Sequence, residues 1–140
     1  YRSEFRPSEK FPKPIVNVCM WALTANTNDE AKYLFSSRAA WKIGRNYGQL
    51  GPITDPDNAL NIINDNNWDE QFETMYQNSI VGDPEVTKNK IYKLVKENKI
   101  DEIAILTWCH NENSRVKSYE LFANEFELSS KKKLQKSYIN

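Results

Sequence analysis

The sequence predicts an α/β protein with a parallel sheet, and three observations support this class. Segments 15–23 and 103–109 are short, almost continuously apolar runs, a pattern typical of strands that are buried on both faces. A segment with the apolar spacing of a helix follows each run, as in the strand-helix units of a parallel sheet. The chain has 140 residues, of which 39% are hydrophobic, and this suits one ordinary globular domain.

The first strand-helix unit follows an irregular start. Prolines at positions 7, 12 and 14 predict an extended connector over residues 1–14, with a short helical remnant at its beginning. After the first apolar run, Thr27 can cap a helix and Glu30 can reach back to the Thr27 amide, as in a capping box. Apolar spacing continues to Trp41, and the stretch from Gly44 to Gly51 predicts the end of the helix.

Residues 51–79 interrupt the simple alternation of strands and helices. Asp55 and Pro56 form a cap and a first-turn proline, and a short amphipathic piece follows them. Segment 68–76 has the pattern of another helical turn or two. We interpret this region as a partly helical insertion outside the core, and a long excursion of this kind is typical of a lid or a binding loop.

The alternation resumes at Asp83, which can cap a helix whose first position is Pro84. The second apolar strand at 103–109 and a final helix over about 114–126 complete a second strand-helix unit. Two parallel strands that are apolar on both faces leave sheet edges unpaired, and a stable sheet of this kind needs several neighbours. We therefore expect the missing strands to come from elsewhere.

Composition narrows the classes of function. Lys and Arg together number 19, as do Asp and Glu, so no basic surface favours nucleic acid or anionic lipid. No apolar run approaches the roughly 20 residues of a membrane span, which makes a cytoplasmic protein the default expectation. Cys19 and Cys109 are predicted to be buried, reduced thiols. With His110 as the single histidine, a metal site is not expected.

Several motifs, in order along residues 1–127, resemble the C-terminal portion of the luciferase-like monooxygenases, the flavin-dependent family that includes bacterial luciferase. Each motif is short, and the resemblance depends on their combined order and spacing. They are Tyr1-Arg2-x-x-Phe5-x-Pro7-Ser8 with Pro14, residues 22–27, Asp29-Glu30-Ala31, Val81-Gly82-Asp83-Pro84-Glu85-Val86, Asp101-Glu102, and Arg115-x-x-Ser118-Tyr119-x-x-x-Ala123-x-x-Phe126.

The resemblance implies a partial TIM barrel, namely the last two strand-helix units of a (β/α)8 barrel plus a helical insertion over residues 1–127. Residues 128–140 form a polar C-terminal tail outside it. Such barrels need about 250 residues, so we expect this chain to be a fragment. The family uses reduced FMN and O2 to oxygenate a small organic substrate such as an aldehyde. Most flavin-contacting positions of the family, including its catalytic histidine, precede this region, so no catalytic residue is assigned here.

Barrel active sites lie at the C-terminal ends of the strands, which leaves three candidate cofactor-binding residues. Trp41 falls near a family position where an aromatic ring approaches the flavin, and its alternative role is a core contact. Trp108 and His110 follow the second strand at the pocket mouth, where His110 could exchange a proton. A locally hydrogen-bonded surface residue is the alternative for His110. On the helix that contains Trp41, Arg38, Lys42 and Arg45 recur on one face, either to attract an anionic cofactor or as a solvated surface.

The resulting hypothesis is the C-terminal fragment of an FMN-dependent monooxygenase that is inactive alone. An alternative is a non-catalytic flavin-binding or barrel-completing subunit, whose partner is an N-terminal half-barrel or a second copy of the chain. A self-contained α/β interaction domain is a third reading, and it would have to protect its own sheet edges.

Overall fold

A three-stranded parallel sheet organises the chain in the computed structural model, which describes residues 1–128. Its strands are β1 (Asn17–Thr24), β2 (Ile80–Gly82) and β3 (Glu102–Leu106), in the order β2-β1-β3. The N-terminal half of β1 pairs with β3, in register from Asn17 opposite Glu102 to Trp21 opposite Leu106. Its C-terminal half pairs with β2. The parallel α/β class is confirmed, and β2 is a strand that the sequence analysis missed.

Within residues 1–128, five α-helices surround this sheet. They are α1 (Asn28–Asn46), α2 (Pro56–Asp65), α3 (Asp69–Gln77), α4 (Pro84–Asn98) and α5 (Glu112–Glu125), and a short 3-10 helix, Arg2–Glu4, opens the chain. The three predicted caps are confirmed: the side chains of Thr27, Asp55 and Asp83 accept hydrogen bonds from the backbone three residues later. The capping box closes one residue early, because Glu30 accepts from the Asn26 backbone N–H and not from that of Thr27.

The faces of the sheet are covered by two groups of helices. On one face, α4 and α5 pack on Ala22 through Ile91 and Phe122, together with the half-buried residues Ile103 and Ile105. On the other face, Leu23 and Val81 meet the layer formed by α1, α2 and α3. This layer contributes most of the larger core cluster, which includes Phe35, Ala39, Ile43, Ala59, Ile63, Trp68 and Phe72.

Three expectations about burial were wrong. The insertion at 51–79 is part of the core, because Ala59, Ile63, Trp68 and Phe72 close against α1. Cys19 is exposed, since it points to the sheet face that α1–α3 leave uncovered, and Cys109 is half-buried. Neither strand is buried on both faces along its length.

The uncovered part of that sheet face lies at its N-terminal end. Register pairs Asn17 with Glu102, Cys19 with Ala104 and Trp21 with Leu106, so these side chains share one face. Five of them are exposed, and we call these five the bare face: Asn17, Cys19, Glu102, Ala104 and Leu106.

Within residues 1–128, no helix is long and apolar enough to cross a membrane. The same residues contain no cluster of three or more His, Cys, Asp or Glu side chains arranged to hold a metal ion. The predicted polar tail lies outside the described residues from position 129 onward.

Candidate ligand site at the strand ends

The segment that leaves β3 is held firmly at the C-terminal edge of the sheet. Thr107 is buried, and its hydroxyl donates to the Ala22 carbonyl at 2.8 Å. The Thr107 backbone N–H donates to the Tyr119 hydroxyl of α5 at 3.0 Å. These two bonds fix the backbone from which the next side chain, Trp108, projects with 43% of its surface exposed.

Trp108 meets Trp41 of α1 at this edge. The two rings pack edge to face, with centroids 5.6 Å apart and planes at 74°. Trp41 is further anchored because its indole N–H donates to the Gly51 carbonyl at 3.0 Å, and the Arg45 guanidinium carbon lies 4.9 Å from its ring centroid. The structure thus brings together two of the three residues that the sequence analysis proposed for the cofactor site.

A cavity of about 270 Å3 opens beside this pair, between Trp41, Ile53, Trp108, Cys109 and Arg115. Its volume is below the roughly 300–1,000 Å3 of complete small-molecule sites. The walls are mainly apolar, and Arg115 is held by an ion pair to Glu112 at 3.3 Å. The cavity therefore has the size and character of one part of a ligand site.

Cys109 is the nucleophile nearest to this cavity, and its environment keeps it protonated. Burial raises the pKa of the Cys109 thiol to about 11, against a smaller opposing effect of Arg115. A thiol is a poor nucleophile compared with its thiolate. Cys109 therefore acts as an apolar wall residue near neutral pH.

His110 lies apart from the cavity lining, exposed at the turn before α5. Hydrogen bonds from the Asn58 backbone N–H and side chain lower the pKa of the nearby Asp55 carboxyl, and an electrostatic effect of His110 is the smallest contribution. A role of His110 in cofactor binding stays a prediction.

A second aromatic and basic contact lies on the same face of the sheet, and sequence reasoning did not single it out. The Arg38 guanidinium carbon stands 4.0 Å from the ring centroid of Trp21. Burial lowers the pKa of Arg38. The alternation of side chains along β1 is enough to place Trp21 on the same face as Asn17 and Cys19. It is not enough to predict that Arg38 of α1 lies over the Trp21 ring. Of the three basic residues noted on α1, Arg38 is half-buried, whereas Lys42 and Arg45 are exposed.

Comparison with known proteins finds similarity in sequence and in fold. The chain is 28% identical over 125 residues to a luciferase-like monooxygenase of Escherichia coli, covering 86% of this chain and 36% of that protein. The chain is homologous to luciferase-like monooxygenases. It is also 27% identical over 128 residues to the uncharacterised protein YvbT of Bacillus subtilis, covering 89% of this chain and 37% of that protein. No protein-family model matches.

A solved structure shares the fold of this chain. The crystal structure of apo-MsnO8 superimposes with a TM-score of 0.79 at 23% sequence identity, covering 92% of this chain and 40% of that one. The chain spans about a third of the length of the curated relatives it matches, 36% for the Escherichia coli protein and 37% for YvbT.

Proposed function

We propose that the chain forms the last two strand-helix units of the (β/α)8 barrel of an FMN-dependent, luciferase-like monooxygenase. The bare face carries this proposal. Parallel sheets are normally covered on both faces, yet Cys19, Ala104 and Leu106 face solvent opposite the helices α4 and α5. In a TIM barrel the helices cover the outside, and the other strands cover the inner face. The bare face is therefore the inner wall of a barrel whose remaining strands lie outside this chain.

In this arrangement Trp41 and Trp108 lie at the mouth of the barrel, where TIM-barrel enzymes bind their substrates. Their rings form an aromatic wall for one edge of the flavin, and His110 follows at the rim. The helices α1–α3 cover the C-terminal part of the inner face as a lid. Reduced FMN supplies the reactivity toward O2 when it is bound, and these residues position the ring and keep water out.

The residues of this chain fit only part of an FMN molecule. The edge-to-face tryptophan pair and the apolar cavity suit the ring system, and the volume of about 270 Å3 leaves the rest of the cofactor to be held by other parts of the barrel. The chain alone is accordingly inactive. Oxygenation of a small organic substrate such as an aldehyde belongs to the complete barrel.

A chimera tests this function. The matched 125 residues of the Escherichia coli relative are replaced by the aligned part of this chain, and FMN binding is followed by quenching of flavin fluorescence. We expect the chimera to bind one FMN and the isolated chain to show no tight, stoichiometric binding. A chimera that folds but binds no FMN, where the unaltered relative binds it, would contradict the proposal.

Substitutions in the chimera locate the site. Trp41→Ala and Trp108→Ala should each weaken FMN affinity by about 2–12-fold, since an aromatic contact contributes about 0.5–1.5 kcal/mol. Tyr92→Ala is the matched control, because Tyr92 is an exposed aromatic residue on α4, and it should change the affinity less than about twofold. Equal losses in all three variants would exclude a site at the tryptophan pair.

A second candidate function is that of a non-catalytic subunit that completes a barrel with another chain. The same bare face favours it, because a sheet surface of this kind needs a partner whether that partner is covalently joined or not. Sedimentation of the isolated chain, alone and with the remaining part of the Escherichia coli relative, distinguishes the candidates. A stable dimer or a stoichiometric complex without FMN binding would favour the subunit role.

A further inference from the structure

Among the residues that the structure describes, Arg38 is a charged side chain held against apolar surroundings without a counter-ion. Its guanidinium carbon lies 4.0 Å from the centroid of the Trp21 ring, which itself packs on the fully buried Phe35 with centroids 5.5 Å apart. Taking a charge out of water is costly unless it is paired and hydrogen-bonded. The cation–π contact with Trp21 offsets part of this cost.

The expected partner of this charge is missing from residues 1–128. No ion pair in this part of the chain involves Arg38, whereas Arg2 pairs with Asp101 and Arg115 with Glu112. Two neighbouring donors are also unsatisfied there: Arg38 Nε and Trp21 Nε1 are buried and make no hydrogen bond. Unpaired buried donors are rare and need an explanation, such as a ligand.

The residues around Arg38 and Trp21 indicate which kind of ligand would fit beside them. Leu106 lies opposite Trp21 in the sheet register and is 43% exposed, and Trp108 follows two residues later at the strand end. Arg38 is half-buried, and its terminal nitrogens are not among the buried unpaired atoms, so its outer edge is open. A single planar cation therefore stands beside an exposed aromatic and aliphatic wall.

We propose that Arg38, stacked on Trp21, binds the carboxylate of a planar organic ligand whose apolar body rests on Leu106 and Trp108. The planar guanidinium matches a carboxylate in two-point geometry, and stacking on the indole fixes its plane. The apolar wall favours an organic anion over inorganic phosphate, which is more strongly hydrated. The inference rests on the proposed function for the location at the barrel mouth, and it adds the charge and shape of the group that binds there.

Benzoate is the probe, titrated into the 140-residue chain and followed by tryptophan fluorescence and by NMR shifts of the indole N–H signals. We expect saturable binding with a dissociation constant on the order of 1–10 mM, corresponding to about 3–4 kcal/mol. Benzamide, which has the same shape without the charge, should bind at least tenfold more weakly. Inorganic phosphate at the same concentrations should not compete. Absence of saturation, equal binding of benzamide, or competition by phosphate would overturn the proposal.

Variants separate Arg38 from general positive charge. Arg38→Gln should weaken benzoate binding at least tenfold, and Arg38→Lys, which keeps the charge but loses the planar group, should weaken it about threefold or more. Arg45→Gln is the matched control. Arg45 also lies over a tryptophan ring, that of Trp41, but it is exposed, so the substitution should change the affinity less than twofold. Circular dichroism confirms that each variant is folded. Equal effects of Arg38→Gln and Arg45→Gln would overturn the proposal.

The two proposals fail separately. If the chimera binds no FMN but benzoate binding to the isolated chain still depends on Arg38, the proposed function is wrong and the anion-site proposal stands. If the chimera binds FMN and benzoate does not saturate, the anion site is wrong and the function stands.

Discussion

Trp41 and Trp108 meet edge to face at 5.6 Å, and this contact joins the first helix of the chain to the segment that follows its last strand. The two residues are 67 positions apart in sequence, yet they form one wall of the candidate site. The wall therefore depends on the sheet that holds β1 and β3 side by side.

A double-mutant cycle measures this contact. Trp41→Ala, Trp108→Ala and the double variant are compared by urea unfolding, and we expect a coupling free energy of about 0.5–1.5 kcal/mol, as for other aromatic pairs. A cycle between Trp41 and the exposed Tyr92 of α4 is the control and should give no coupling within about 0.3–0.5 kcal/mol. Equal values in the two cycles would show that the tryptophan contact is not formed in solution.

Gly82→Ala should destabilise the fold strongly. Gly82 has φ +154°, and a Cβ there would lie 2.6 Å from Val86 Cγ1 and 2.8 Å from Asn28 Oδ1. Asn28 Oδ1 accepts from the Asp83 backbone N–H at 2.8 Å, so the substitution disturbs the link between the starts of α1 and α4. We expect a loss of about 2–4 kcal/mol in the free energy of unfolding, from strain and overpacking together.

Gly51→Ala is the matched control for that substitution. A Cβ at Gly51 would meet no atom within 4 Å, and the expected change is within about 0.5 kcal/mol. Thermal and urea unfolding of both variants give the comparison. A Gly82→Ala protein as stable as Gly51→Ala would mean that β2 and the start of α4 are not arranged as described.

The two cysteines should differ sharply in reactivity. Cys19 is exposed on the bare face, and burial raises the pKa of the Cys109 thiol to about 11. Near pH 8 only about one Cys109 thiol in a thousand is ionised, since each pH unit below the pKa reduces the thiolate tenfold. Ellman's reagent should therefore modify one thiol rapidly and the second at least about a hundredfold more slowly.

Single variants assign these thiols. Cys19→Ser should remove the fast phase and Cys109→Ser the slow one. The same raised pKa has a consequence for stability: the stabilisation from the neutral Cys109 thiol is present below pH 9 and is lost as pH rises toward 11. Cys109→Ser should flatten the pH dependence of stability in that window. Two equally fast thiols would contradict the burial of Cys109.

Local sequence signals predicted the helix starts well. Thr27, Asp55 and Asp83 were all identified as caps, because a cap depends only on a side chain and a backbone N–H three residues later. The strand β2 was missed because Ile80–Gly82 is only three residues long and pairs with residues 22–24, almost sixty positions earlier. A short strand of this kind has no periodicity to recognise.

The site was predictable in part. The family resemblance singled out Trp41, and the position just after a strand singled out Trp108. The edge-to-face contact between the two rings was not predicted. The stacking of Arg38 on Trp21 could not be predicted, because it depends on α1 folding back over the face of β1 that carries Trp21. Burial of Cys19 was predicted from an apolar run, but its exposure depends on how much of that sheet face α1–α3 cover, and this is not encoded in the run itself.

The reactivity of Cys19 tests the central claim most directly, because Cys19 lies on the face that we assign to the inside of a barrel. Iodoacetamide alkylation of Cys19 is measured in the isolated chain and in the chimera with the Escherichia coli relative, each carrying Cys109→Ser, with mass spectrometry to identify the modified residue. We expect rapid alkylation in the isolated chain and at least a hundredfold slower reaction in the folded chimera. Equal rates would contradict the assignment of the bare face to the wall of a larger barrel.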